Sequence, residues 1–147
     1  MHFSMGSWQV VSLNCPRAAY LARGDDDLLF EYLRGLMDTA VEIFKVKREW
    51  MNQVIKNRRM PFATQRPKDP RTGKKGTLAV DLESLVYTIG VVGVNEMVQF
   101  HTGSQMHESK EAWKLAVRAM TEMEIYAKEL SRRHGMTIAL RAPRRRR

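Results

Sequence analysis

The chain is 147 residues long, 44% hydrophobic and 28% charged, with a formal net charge of +9. That is one domain's worth of protein with enough apolar material for a packed core, and no apolar run reaches the roughly 20 residues of a membrane span. The single cysteine, Cys15, excludes an internal disulfide and predicts a reducing, cytoplasmic setting.

Residues 1–12 lack a basic region followed by an apolar block, so no signal peptide is predicted. Residues 8–13 (WQVVSL) are β-branched and aromatic, and Asn14, Pro16 and Gly24 bracket their end, which predicts a buried strand running into a turn. Asp25, Asp26 and Asp27 follow, where acids cap a helix and oppose the positive end of its dipole. A long helix is expected over 26–56. Leu29, Leu33, Leu36, Ala40, Ile43, Trp50 and Val54 form one apolar seam along it, with Phe30, Met37, Val41, Phe44, Met51 and Ile55 as a second seam alongside. Two adjacent stripes call for cover on two sides. Pro61, Pro67, Pro70, Gly73 and Gly76 then break the pattern. An extended basic connector is expected over 57–76, long enough to signal function or mobility.

Residues 82–102 allow two readings. Residues 87–94 are β-branched enough for a strand, yet Leu82, Leu85, Val86, Ile89, Gly93, Met97 and Phe100 follow helical spacing. A helix is the expectation, with Gly90 and Gly93 admitting a close neighbouring backbone and Gly103 as its C-cap. Ser109 suits the N-cap of a third helix reaching His134, because Ala112, Ala116, Ala119, Met123, Tyr126 and Leu130 recur at alternating steps of four and three. Gly135 closes it, and residues 136–140 read as a second buried strand. The expected fold class is α/β, mostly helical by residue count, with parallel strands in the order strand, helix, connector, helix, helix, strand. Two strands cannot have both faces and edges covered, so the chain reads as a section of something larger.

The charge is unevenly placed. Five of the last seven residues are arginine, and without them the formal charge falls from +9 to +4. A second cluster spans 56–75, with Asp69 its lone acid. Within it, Arg58, Arg59, Lys74 and Lys75 are candidate contacts for phosphate or nucleic acid, acting through charge and counterion release. The alternative is a solvated loop and tail. Phe62 is the one aromatic in that cluster, which gives base stacking little support.

Four blocks carry a resemblance: VVSLNCPRAAYLARGDDDLLFEYL (10–33), AVEIFKVKREWM (40–51), LVYTIGVVGVNEMVQFHTG (85–103) and HESKEAWKLAVRAM (107–120). In order and spacing, over residues 9–140, they resemble consecutive blocks of the large subunit of the anaerobic, glycyl-radical ribonucleoside-triphosphate reductases, archaeal members above all. The resemblance implies a piece of a ten-stranded α/β barrel made of two antiparallel halves of five parallel strands. It implies reduction of ribonucleoside triphosphates at the ribose 2′ position for deoxyribonucleotide supply and DNA replication. In the family a glycyl radical near the C-terminus oxidises a finger-loop cysteine, and the resulting thiyl takes hydrogen from the ribose 3′ carbon. Formate or a cysteine pair supplies electrons. A separate iron–sulfur activase using S-adenosylmethionine makes the radical.

The finger-loop cysteine, the Arg-Val-Cys-Gly-Tyr type radical motif, the four-cysteine zinc site and the regulatory nucleotide cone have no counterpart in this sequence. Radical transfer needs donor, relay and substrate in contact, so the chain is expected to bind no cofactor and to be inactive alone. Asn14 ends the first strand, where α/β folds place ligand contacts, and in the family's Asn-x-Pro-Arg block that asparagine faces the ribose. Cys15 stands where leucine is common, which fits either the subtype using a cysteine pair or a buried, inert thiol. Asn95 and Glu96 are further polar candidates, Glu96 as a functional acid or as partner of a neighbouring amide or arginine. His101 and His107 lack metal-ligand spacing, so no metal is assigned.

Beyond the second strand the family continues into a Thr-Pro-Ala-Glu-Ser/Thr-Thr motif, whereas Arg141, Ala142, Pro143 and four arginines stand here. A one-base shift turns codons for Ala-Arg-Ala-Pro-Ala-Glu-Thr into such a run, so gene decay is one expected origin of the tail. The organisation expected is a partial barrel domain over 1–140, with its basic connector at 57–76, and an arginine-rich tail over 141–147. Three functions stay open. The chain is a fragment or truncated homologue; or it is part of a split reductase completed by the remaining segments or a second copy; or it is a basic nucleic-acid- or ribosome-associated protein. The ribonucleoside triphosphate is the ligand of the full-length family.

Overall fold

The computed structural model describes residues 6–66, 68–76 and 84–142. In chain order these form β1 (Ser7–Asn14), α1 (Cys15–Ala22), α2 (Asp26–Lys56), α3 (Pro61–Thr64), β2 (Val86–Val92), α4 (Val94–Thr102), α5 (Lys110–His134) and β3 (Ile138–Arg141). The strands make one sheet in the order β1-β2-β3, both pairs parallel, with Val11 opposite Ile89 and Ile89 opposite Leu140. Parallel neighbours require a crossover. Helices α1, α2 and α3 lie in the first crossover, α4 and α5 in the second.

Side chains alternate across a strand. Leu13, Ile89, Val91 and Ile138 share one phase and join Leu29, Leu33, Phe44, Met97 and Leu130 in a single buried cluster. Past the register irregularity between Ser7 and Gln9, where Trp8 stacks on Tyr87 within the cluster, the opposite phase, Val10, Ser12, Val92 and Ala139, adds no residue to it, and Val10 and Val92 are half exposed. The helical core therefore lies on one face of the sheet. No helix among the described residues is long and apolar enough to cross a membrane.

The strongest local signals hold. α2 covers the expected residues, starting where the Asp25 carboxylate accepts the Leu28 N–H at 3.0 Å. α5 starts where the Ser109 hydroxyl accepts the Glu111 N–H, and it ends at Gly135 in the left-handed region. The helix expected over 82–102 is instead a strand followed by a shorter helix, with Leu82 outside the described residues. Residues 87–91 are all buried, as befits a central strand flanked on both edges, which carries no polar alternation. Gly93, with φ 75°, ends it and starts α4.

The turn expected after the first strand is helix α1. Asn14 caps it by accepting the Arg17 N–H at 3.2 Å, Pro16 sits in the first turn where no N–H is needed, and Cys15, Ala18, Ala19 and Ala22 are buried. The sheet thus has three strands where two were expected, and the order runs strand, two helices, connector, strand, two helices, strand. The connector holds the four-residue α3 and an antiparallel bridge between Lys68 and Lys75. Residues 143–147 of the expected tail lie outside the described residues, as does Pro67.

Candidate functional site

The carboxyl ends of parallel strands lie side by side, and here they bring together chemistry from distant parts of the chain. β1 ends at Asn14 and β2 at Val92, paired in register. The two junctions that follow are pressed together. A Cβ on Gly93 would stand 2.6 Å from Cγ of Pro16, so only glycine fits there. This contact sets the first turn of α4 beside the first turn of α1.

Two clefts open at this edge. One, of about 500 Å³, is lined by Asn14, Pro16, Arg17, Tyr20, Glu96 and Phe100. The other, of about 490 Å³, is bounded by Gly93, Asn95, Glu96, Met106, His107 and Ala142. Glu96 borders both and forms the wall between them. Tyr20 and Phe100 close one side of the first cleft as a tilted aromatic pair, ring centroids 5.7 Å apart. Asn95 is committed to structure: its Oδ1 accepts the Met106 N–H at 3.2 Å and its Nδ2 donates to Gln105 at 3.4 Å. Those bonds hold the loop between α4 and α5 against the second cleft.

Cys15 adjoins Asn14 in sequence but points the other way. Its side chain is fully buried, and burial pushes the thiol up to about 11, a backbone hydrogen bond at Val92 offsetting part of the rise. Arg58, Arg59, Lys74 and Lys75 line neither cleft and are exposed on the connector. Asp69 shapes their hairpin: its carboxylate accepts the Arg71 N–H at 2.8 Å, which holds its pKa below the usual carboxylate range, and its carbonyl accepts the Gly73 N–H.

His101 is spent on a tie between helices. Its Nε2 lies 2.8 Å from Asp26 Oδ1, and Arg118, stacked over Phe30, reaches the same carboxylate at 3.6 Å. A larger cleft, about 560 Å³, lies between α1, α2 and Tyr126 on the helical side. Three of its polar groups are likewise engaged, Tyr126 with Asp38 at 2.8 Å and Arg34 with Glu122 at 3.1 Å. Sequence reasoning named Asn14 and Glu96 but missed Tyr20, Phe100 and Arg17 as walls of the same cleft. Arg17 was within reach in the Asn-x-Pro-Arg block, whereas the aromatic pair needs α1 and α4 in contact and leaves no local signal.

The family model for anaerobic ribonucleoside-triphosphate reductase matches residues 2–143. Among solved structures, an anaerobic ribonucleotide reductase superposes with a TM-score of 0.76 at 20% identity, covering 93% of this chain and 21% of its own. The Thermotoga maritima anaerobic ribonucleotide reductase with dATP bound in the specificity site gives 0.74 at 20% identity, covering 92% and 22%. With citrate in the active site it gives 0.75 at 20% identity, covering 93% and 24%. No curated protein matches the chain. At this identity the structural likeness shows the fold, and the chain spans less than a quarter of the length of these solved relatives.

Proposed function

The chain belongs to the anaerobic ribonucleoside-triphosphate reductase family, and from that premise we propose that it is one wall of a reductase barrel, acting only within a larger assembly. The observation that carries this reading is the one-sided sheet. Helices cover one face, the other face adds nothing to the core, and the polar clefts open at the strands' carboxyl ends. A barrel wall has that construction, with helices outside and the opposite face turned to an interior made by other strands. The remaining reductase segments or a second copy would supply those strands, and cytoplasm is the proposed setting.

In this reading Asn14 faces the ribose of a ribonucleoside triphosphate at the cleft mouth. Arg17 offers positive charge beside it, and Glu96 divides the ribose side from the second cleft. Residues 1–140 make up most of the barrel piece, with Arg141 completing β3 and Ala142 bounding the second cleft beyond it. The radical machinery does not fit the residues present. The sole thiol, Cys15, is sealed in the core and held protonated. No radical step is assigned to this chain, and the glycyl radical, relay thiol and activase contact belong to the remaining segments.

Complementation tests the reading. The chain is combined with neighbouring reductase segments, activase, S-adenosylmethionine and formate, and deoxynucleotide formation is followed. We expect no turnover from the chain alone, turnover on complementation, and at least about a tenfold loss with Asn14→Ser, which keeps the helix cap while moving the polar group. Turnover by the isolated chain, or complementation indifferent to Asn14→Ser, overturns it.

A further inference from the structure

The stretch 45–76, the distal half of α2 with the connector, forms an arm unlike the rest of the molecule. None of its described residues is buried, and only Met51 leans on the core. It holds eleven Lys and Arg against Glu49 and Asp69, so this one stretch carries a net charge of +9. Without the arm and the terminal arginines, the remaining residues are net acidic. Lys45 pairs with Glu42 and Arg48 is engaged, but no ion pair holds the arm's other cations among the described residues. A solvated helix face normally mixes both signs. On this surface cations outnumber acids eleven to two.

Large apolar side chains stand out of that basic surface. Val46 is 69% exposed, Trp50 56% and Phe62 82%. Val46 and Trp50 are four residues apart, and Lys47 is three before Trp50, so the three share one side of the helix. The connector's hairpin is formed in advance: Lys68 bridges Lys75, Asp69 N–H donates to Lys74 O at 2.9 Å, and the Asp69 carboxylate pins the turn. Asp69 is thereby turned to the backbone, leaving the hairpin's lysines without a local acid.

We propose that this arm binds single-stranded nucleic acid, with phosphates held by the connector's lysines and arginines and bases stacked on Trp50 and Phe62. Cations alone would serve a duplex equally well. Exposed rings add affinity only where bases are unstacked, which selects the single strand. This inference is independent of the reductase reading.

The probe is a fluorescently labelled oligothymidylate, titrated with the full chain and followed by anisotropy. Affinity should fall about a hundredfold between about 50 and 200 mM salt. Trp50→Ala should weaken binding about tenfold, as loss of one stacked base predicts. The double variant Lys74→Glu, Lys75→Glu should weaken it further and flatten the salt slope. Replacing Arg144, Arg145, Arg146 and Arg147 with serine should leave most of the affinity in place. All the arm side chains replaced are exposed, so unchanged circular dichroism melts confirm that the variants fold. The proposal is overturned if the serine-tail variant alone abolishes binding. It is equally overturned if Trp50→Ala binds like the parent, or if the probe fails to bind while an acidic protein partner protects Trp50.

Discussion

Over residues 26–44, α2 buries seven side chains, from Leu29 to Phe44, whereas over 45–56 it buries none. Both halves carry the same apolar repeat in one unbroken helix. The difference lies in what surrounds them. Arg34 reaches Glu122 and Asp38 accepts from Tyr126, both on α5, while Phe44 meets Tyr87 of β2 with ring centroids 5.2 Å apart. Each of these ties sits at or before Phe44. Helical hydrogen bonds are local and continue as long as residues permit, but burial requires a neighbour. Apolar periodicity therefore reports the helix and its face without reporting what covers that face.

The largest expected effect breaks the comparison at its boundary. Phe44→Ala removes a fully buried ring from the meeting point of helix and sheet and should destabilise the fold by about 3–5 kcal/mol. Trp50→Ala, on the same helix, should stay within about 0.5 kcal/mol, because its ring is largely in water. Urea unfolding of both variants checks this. Equal losses would mean that the distal half is packed like the proximal one.

The same contrast explains how far the sequence could be read. The ends of α2 and α5 were legible because Asp25, Ser109 and Gly135 act locally, each bonding or relaxing the backbone within one turn. α1 was not, since eight residues are too few for a helical repeat to declare itself and Pro16 imitates a turn. β2 failed for the opposite reason. A central strand flanked on both edges has no polar alternation, and its Val, Ile and Gly positions coincide with helical steps. Trp50 was assigned to a buried seam because spacing contains no information about neighbours. In the site, Asn14 and Glu96 were found separately, but their common cleft depends on β1 and β2 pairing in parallel. The Asp26–His101 tie joins residues 75 apart in sequence and had no local signature.

Cys15 sharpens the comparison from the buried side. Its thiol is raised from an ordinary 9.0 to about 11, chiefly by burial. The folded chain thus holds this proton more tightly than the unfolded chain. The associated stability is fully present below about pH 9 and is lost as pH rises through about 11, about 3 kcal/mol in all. Cys15→Ala should remove that alkaline decline, so the two stability curves converge or cross on the alkaline side. Iodoacetamide should leave the native thiol unmodified at neutral pH and alkylate it in urea, while amine reagents label the arm's lysines in the native chain. Rapid alkylation of native Cys15 would contradict its burial.

The smallest effect compares the two ends of α2 directly. At the proximal end the Asp25 carboxylate accepts the Leu28 N–H, one of the four donors that a helix start leaves without intrahelical partners. Asp25→Ala should therefore cost about 1 kcal/mol of global stability, because that end is packed into the cooperative core. At the distal end the helix closes through backbone bonds, the Asn57 N–H donating to the Gln53 carbonyl and the Arg58 N–H to the Ile55 carbonyl, which do not depend on the Asn57 side chain. Asn57→Ala should be neutral within about 0.5 kcal/mol. Hydrogen exchange separates the cases further: Asp25→Ala should speed exchange at Leu28 and across the proximal half, whereas Asn57→Ala should alter only the last turn. If Asn57→Ala instead lowered global stability, the arm would have to be folding as one unit with the sheet, and its freedom from the core would be ruled out.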